Sequence, residues 1–579
     1  MLWVDSPNYR LIRDSIGVQV NHLRVQFNQV IGFLRNLGMR RIDNSATTRG
    51  REVTRERNMD LIAMLHVFRT KGSIAVTVDE QTWRDLAMDE VFAKLDRTAG
   101  MPGQQMLYHQ LRTYEDDLSV LQERARQYDV FRSDLELCGN IQAQMTSLEG
   151  QSSALLAPLL LSPLPKPPNY SWMFFLCSAL TLACLMGVFI SEKIIIPTLG
   201  MIIFNLVINE LYGRKVTPYL PAFSRISALL RICKRLSSID NEHHLPQLKR
   251  LRSMLPQIEN LGLRFRWIGM DRTHHSEMTS IIFGYLNLFL LFDIVMFLLT
   301  LPMLRQHQSA LIELLETVGS LDASISVASY LADLPAACVP NLTKDRKIDV
   351  VGLFHPLLSA PVGNSFESTN RSGLITGSNM AGKTTFIRTV GINVILAQTI
   401  HICLAKDALL PQAIVRSSIR REDRLNEGES YYFVEIQRIK GFLYHEDSAL
   451  LHMFLIDEIF RGTNTVERIA ASAAVLRHLG QHDLVLVTTH DLELQELLKD
   501  TFSTYHFSER IKDGAHGFDY RIYPGSANSR NAIKLLALSG YPEDITQEAG
   551  RIAEWVEGIY DRRFPSHHHP GNGIQGPRR

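Results

Sequence analysis

The chain has 579 residues, 61 lysines and arginines against 60 aspartates and glutamates, and a hydrophobic fraction of 45%. Its length implies about two to four units, each able to bury a core, and high apolar content at near-zero net charge excludes disorder for the bulk of the chain. Six scattered cysteines without a C-x-x-C pair imply neither a zinc site nor a disulfide framework, and a formal charge of +1 argues against a uniformly basic nucleic-acid binder.

That near-neutrality hides segregation. Residues 1–75 carry twelve Lys/Arg against six Asp/Glu, a local +6, and residues 211–275 carry twelve against four, a local +8, which leaves −13 for the remainder. Near Met1 no apolar run has the length of a secretory signal, so none is expected. Apolar residues Ile16, Val20, Leu23 and Phe27, spaced near 3.6, predict a helix over 11–37. An Arg-rich polar stretch, 40–57, reads as a loop. Residues 80–150 read as helical throughout, with leucines at three- and four-residue intervals.

Pro163 to Pro168 (PLPKPP) form a linker into an uncharged stretch whose core, Ser171 to Ile190, has the length needed to span a bilayer. Ser191-Glu192-Lys193 interrupts it, and a second uncharged stretch runs from Ile194 to Asn209. At about 1.5 Å per residue the second covers roughly 24 Å, short of a ~30 Å hydrocarbon core unless it extends to Tyr212. Tyr170 and Trp172 flank one outer end of this pair, Tyr212 and Tyr219 the other. Lys166 precedes it and Arg214, Lys215 and Arg225 follow. This pattern predicts a transmembrane hairpin over 171–210 with both flanks on the cytoplasmic side. A helical pair buried in a soluble core is the alternative. A third apolar stretch, Thr279 to Leu304, carries Asp293 near its middle, which is costly in a span. Two crossings plus a buried or membrane-apposed helix are expected in preference to three.

From Val350 short apolar strands alternate with helices, which predicts an α/β domain with a parallel sheet. The residues from His567 to Arg579 read as a disordered tail, and its three consecutive histidines are not taken as a metal site.

Gly377-Ser378-Asn379-Met380-Ala381-Gly382-Lys383-Thr384 satisfies GxxxxGK[ST] between an apolar strand, 373–375, and a helical run, 386–398. The glycines let backbone N–H groups wrap a phosphate chain at a helix N-terminus, with Thr385 continuing the loop into the helix. Lys383 is the candidate for the β/γ-phosphates and Thr384 for Mg²⁺. The strand 452–456 runs into Asp457-Glu458, the candidate metal partner and the candidate general base for an attacking water. A further strand, 484–487, leads to Thr488-Thr489-His490, so His490 is expected at the ligand-binding edge of the sheet, although an isolated strand-end histidine is as readily a solvent-exposed one.

TGSNMAGKTTFIRTVGINVILAQ, LIDEIFRGTNT and VTTH together resemble the ATPase domain of the MutS family. Residues 421–436 (REDRLNEGESYYFVEI) resemble its signature stretch, which implies that Ser430 reaches the nucleotide of a partner subunit. Phe354-His355-Pro356-Leu357-Leu358 looks like the segment entering that domain, and Tyr523-Pro524-Gly525 with the helices to Tyr560 like its closure. Asp79-Glu80-Gln81-Thr82-Trp83-Arg84-Asp85-Leu86, Leu95 to Thr98 with Pro102-Gly103, and Leu321-Asp322-Ala323 are similar to the family's helical core domain. The resemblance implies an ABC-type P-loop NTPase fold, an ATP/Mg²⁺-dependent ATPase and a head-to-tail homodimer closing on nucleotide, with DNA as a candidate partner.

Three departures stand beside that resemblance. No Phe-x-Glu of a mismatch-reading domain occurs in 1–75, Ser378 replaces the usual Pro, and Phe460 replaces the first Gly of DEIGRGT. The catalytic set Lys383, Thr384, Asp457, Glu458, His490 and Ser430 is complete, which implies a competent ATPase. The expected architecture is therefore a basic segment, 1–75, and a helical core, 76–165 and 212–335, interrupted by a membrane hairpin, 166–211. An α/β ATPase domain, 336–565, and a tail, 566–579, follow. The alternative function is a membrane mechano-ATPase or scaffold acting on a protein partner without nucleic acid.

Overall fold

The computed structural model describes residues 57–72, 75–239, 245–256, 277–378, 381–419, 431–444, 451–512, 515–526 and 540–563. The predicted helix over 11–37, the loop 40–57 apart from Arg57, and the tail from 566 lie outside them. The chain divides into two units, one of residues 1–71, 98–106 and 136–323, the other of residues 72–97, 107–135 and 324–579.

The first unit is helical. Two sequence features some 220 residues apart meet in it, because the buried Asp322 carboxylate accepts from the Ala99 and Gly100 N–H groups at 3.0 and 2.8 Å. The carboxylate thereby holds the turn that opens the helix Met101–Arg112. The apolar hairpin forms two packed helices, Trp172–Val188 and Ile195–Ile208. The second continues helically through a π turn at Asn209–Gly213, so the helical stretch 192–236 is long and apolar enough to cross a membrane by length and composition. Asn205 donates to the Thr181 hydroxyl across the hairpin at 2.9 Å.

The apolar stretch 279–304 is not one helix. Glu277–Leu290 and Phe292–Gln306 meet at Leu291, whose φ is +50°, and the bend from Gly284–Leu290 into Phe292–Gln306 is 80°. The carbonyls freed at the break are satisfied by the hairpin: Asn205 donates to Phe289 O at 2.7 Å and Ser178 to Leu290 O at 2.8 Å. Neither Gly nor Pro marks the break in sequence, which is why hydropathy alone reads through it.

The second unit is α/β. A six-stranded sheet has the order β10-β9-β4-β8-β7-β6, from β4 (Ser372–Thr376), β6 (Ala413–Ser418), β7 (Leu451–Asp457), β8 (Leu484–Thr488), β9 (Phe502–Lys512) and β10 (Ala515–Pro524). All neighbours are parallel except β9 and β10. A smaller sheet, β1-β5-β2-β3, holds Asn341–Thr343, Asp407–Pro411, Lys347–Leu353 and Asn364–Thr369. β4, β7 and β8 are buried almost throughout, as strands covered on both faces are.

The stretch 80–150, expected to be helical throughout, is helical in separate pieces, Glu80–Asp85, Met88–Leu95, Met101–Arg112, Leu118–Ser133 and Leu135–Met145. Asp79 and Asp117 cap two of them, and Ala87, at φ +54°, separates the first pair. The first piece is tied to the edge strand β6, since the buried Asp85 carboxylate accepts from Ser417 Oγ at 2.7 Å and Ile419 N at 3.0 Å. Arg438, on the helix Tyr431–Leu443, closes the triangle with Asp79 at 2.9 Å and the Ser417 carbonyl at 2.9 Å.

Candidate functional site

Strand order brings three sequence-distant motifs to one edge. β4, β8 and β7 are consecutive neighbours and parallel, so the turns after them lie side by side at the carboxyl end of the sheet. The phosphate-loop sequence follows β4, Thr489 and His490 follow β8, and Glu458 follows β7.

Gly377 at φ +135° and Gly382 at φ +99° adopt backbone that only glycine takes without strain, and a Cβ on Gly377 would lie 2.9 Å from the Phe507 carbonyl oxygen. The helix Lys383–Thr399 starts directly after Gly382 without a side-chain cap among the described residues, so its first N–H groups are available to an anion. Phe386 packs on Phe366 and Phe507 beneath this loop, with ring centroids at 5.4 and 5.9 Å. Ser378 is half-buried and its hydroxyl is buried with no partner among the described residues, while Thr385 is half-buried in the first helical turn. Ala381 is buried. Asn379, Met380 and Ser430 lie outside the described residues.

The buried Lys383 ammonium donates to the Gly377 carbonyl and stands 3.2 Å from His490 Nε2. Burial pushes its pKa down to about 8; Asp457 opposes that shift and Arg461 adds to it. Thr384 Oγ1 lies 3.0 Å from both Asp457 carboxylate oxygens, and Thr488 Oγ1 donates to Asp457 Oδ1. Thr488 is the register partner of Asp457 across β7 and β8, so the two strand ends place hydroxyl and carboxylate together.

Glu458 has φ +55° and its N–H donates to Thr488 O at 3.1 Å. Its carboxylate meets the Arg461 guanidinium and lies 2.9 Å from His490 Nε2. Burial, then Lys383 and Arg461, hold the His490 imidazole down at about 4, so it is neutral at pH 7 and its contact with Glu458 is a hydrogen bond rather than an ion pair. One nitrogen cannot both donate to Glu458 and accept from Lys383, so the imidazole serves one of them at a time. Phe460 also sits in the left-handed region, at φ +59°. Such backbone costs a residue with a Cβ about 1 kcal/mol, so this turn is held by its surroundings.

The structure thus gathers Gly377, Ser378, Ala381, Gly382, Lys383, Thr384, Thr385, Asp457, Glu458 and His490 around one crest. Sequence reading missed Thr488 and Tyr520. Thr488 was legible only from strand register. Tyr520, about half exposed at φ +53°, lies in an irregular stretch of β10 that Asn364 clamps through Tyr520 O at 3.0 Å and Ile522 N at 2.9 Å. Its ring lies against the loop, 3.4 Å from where a Cβ on Gly382 would be. Nothing local in the sequence signals that placement.

The donor set suits Mg²⁺. It is a carboxylate and a hydroxyl, both hard oxygens, and no group of three His, Cys, Asp or Glu that could cage a metal occurs among the described residues. Mg²⁺ is ordinarily held by one or two carboxylates together with substrate phosphates.

A parallel sheet with a glycine-wrapped helix N-terminus, a buried lysine and a hydroxyl–carboxylate pair at its crest defines a P-loop nucleotide-binding domain. The family model described as MutS domain V matches residues 373–557. The DNA mismatch repair protein MutS of Leptospira interrogans serovar Lai is 31% identical over 272 residues, covering 44% of this chain and 31% of that protein. The protein of the same name from Rhodopirellula baltica is 30% identical over 274 residues, 44% of this chain and 30% of the relative. That from Lactobacillus acidophilus is 30% identical over 275 residues, 44% and 31%. Over this domain the chain is similar to the MutS family. It spans about 31% of the length of the curated relatives it matches.

The lysine pKa gives a pH prediction. Lys383 is fully protonated well below pH 8, loses its proton as pH rises through about 8, and regains it when a phosphate anion docks. Binding of ATP, followed by calorimetry in buffers of different ionisation enthalpy, is expected to weaken above pH 8 with net proton uptake. Affinity flat from pH 7 to 9.5 without proton uptake would contradict this placement of the ammonium.

Proposed function

We propose that the chain binds and hydrolyses ATP at this crest, as a homodimer whose ATPase domains meet head to tail. The observation that carries the reading is the convergence of Lys383, Thr384, Asp457, Glu458 and His490 on three adjacent strand ends. In this reading the loop N–H groups and Lys383 hold the β- and γ-phosphates, with the Ser378 hydroxyl as a further donor. Tyr520 offers its exposed ring to the base. Thr384 and Asp457 would hold Mg²⁺, which supplies positive charge that neutralises phosphate oxygens during transfer. Glu458 takes the proton from the attacking water, and His490, neutral at pH 7, orients that water by a hydrogen bond. Before it can do so, Glu458 must leave the contacts with Arg461 and His490 that it makes here. Ser430 would reach across to the partner's nucleotide.

The assembled ATPase is proposed to act on DNA, supported by the mismatch-repair names of the relatives and by the two basic blocks. A membrane anchor is proposed at 171–210. What supports it is apolar exposure: Phe189, Ile190 and Ile196 are 89, 87 and 82% exposed, and water would penalise such a surface. On this reading both flanks, and with them the ATPase and helical core, lie on the cytoplasmic side. The same exposed hairpin favours a second reading, in which the ATPase works on a membrane-embedded protein partner without nucleic acid.

Glu458→Gln is expected to lower ATP turnover by about a hundredfold or more while ATP-bound dimer accumulates, read by phosphate release and light scattering. Unchanged turnover would remove Glu458 as the base. Duplex DNA binding by the full chain in detergent is expected to fall steeply with salt, with a log–log slope of about −0.9 per phosphate neutralised. No measurable binding at low salt would remove DNA and leave the protein-partner reading.

A further inference from the structure

Phe460 stands where the resembled motif carries glycine, and it takes a backbone conformation that glycine adopts freely and phenylalanine does not, φ +59°. Something must hold it there, and three contacts do. Its ring is 7% exposed within the core cluster that includes Ile439, Phe442, Ile456 and Ile459. The ring also meets Tyr432 edge-on, with centroids 6.4 Å apart at 73°. Its backbone N–H donates to Glu435 Oε1 at 2.6 Å. Tyr432 and Glu435 are three residues apart and so share one face of the helix Tyr431–Leu443. Gly462 completes the seat, because a Cβ there would lie 2.7 Å from Tyr432 Cβ.

We propose that Phe460 is a positioning residue for Glu458: its ring, wedged against Tyr432, fastens the turn after β7 to the helix Tyr431–Leu443 and thereby fixes the backbone from which the Glu458 carboxylate reaches the attacking water. Glu458 lies two residues upstream, itself at φ +55°, with its N–H anchored to Thr488 O. The turn is therefore pinned at both ends, by the end of β8 on one side and by the Phe460 seat on the other. A small residue at 460 leaves the second pin open, and the carboxylate then samples orientations that do not meet the attacking water.

The inference rests on the ATP-hydrolysing reading above. Its test is steady-state ATP turnover of the full chain in detergent, comparing the unaltered protein with Phe460→Gly, Phe460→Ala, Phe460→Tyr and Gly462→Ala. Phe460→Gly and Phe460→Ala are expected to lower kcat about tenfold or more with KM for ATP within about twofold, since misplacing a reacting group slows chemistry without removing binding. Phe460→Tyr, which keeps the ring, is expected to retain at least about half of kcat. Gly462→Ala displaces Tyr432 while leaving Phe460 intact, and the same fall in kcat is expected of it should the Phe460 variants not fold. Phe460→Gly turning over within about twofold of the unaltered chain would overturn the inference alone, as would a joint loss of kcat and ATP affinity that Phe460→Tyr does not rescue. No turnover in the unaltered chain would overturn the hydrolytic reading as well.

Discussion

A carboxylate bridged by two threonine hydroxyls is the contact on which the crest of the sheet depends. Asp457 ends β7, Thr488 ends the neighbouring β8, and Thr384 belongs to the helix that follows β4 on the far side of β8. A half-buried carboxylate needs hydrogen-bond donors, and these two hydroxyls supply them from the two elements that must be aligned for a nucleotide site to exist. The knot fixes the phosphate-loop helix relative to the turn that carries Glu458. Lys383, Glu458 and His490 then fall within reach of one another without further adjustment.

Around that knot the same unit is braced by a second set of charges. Asp79, Asp85 and Arg438 tie the first helical piece, the edge strand β6 and the helix Tyr431–Leu443 together through Ser417 and Ile419. An edge strand would otherwise present unpaired backbone groups, and here the Ile419 N–H and Ser417 carbonyl beyond and within β6 are taken up by side chains. The helix Tyr431–Leu443 is thus held at its middle by the brace and near its start by Phe460. Two left-handed residues, Glu458 and Phe460, are tolerated between these anchors because the contacts around them outweigh the local cost.

The parts of the site legible in the sequence were those whose chemistry is contiguous. The run from Gly377 to Thr385 announces a phosphate loop by itself, and Asp457-Glu458 and His490 were legible because each ends an apolar strand, which places it at the sheet's ligand edge before the strand order is known. Contacts set by register or by distant residues were not legible: Thr488 against Asp457, Asp322 against Ala99 and Gly100, Asp85 against Ser417. Helical periodicity over 80–150 concealed the breaks at Ala87, in the left-handed region, and at Asp117, a side-chain cap, because neither residue is Gly or Pro. Leu291 broke the third apolar stretch for the same kind of reason: its freed carbonyls are paid for by Asn205 and Ser178, which lie about 85 and 110 residues away in the chain. Phe460 was visible as a departure from the motif, but its seat on Tyr432 and Glu435 was not.

A working site requires that the Asp457 knot open to a nucleotide with its metal. Calorimetric titration of ATP with and without Mg²⁺, on the unaltered chain and on Asp457→Asn, measures this directly. The expected result is that Mg²⁺ tightens ATP binding to the unaltered chain, and that Asp457→Asn retains metal-free binding but loses that increment. ATP binding to the unaltered chain that is indifferent to Mg²⁺, or an increment that survives Asp457→Asn intact, would contradict it.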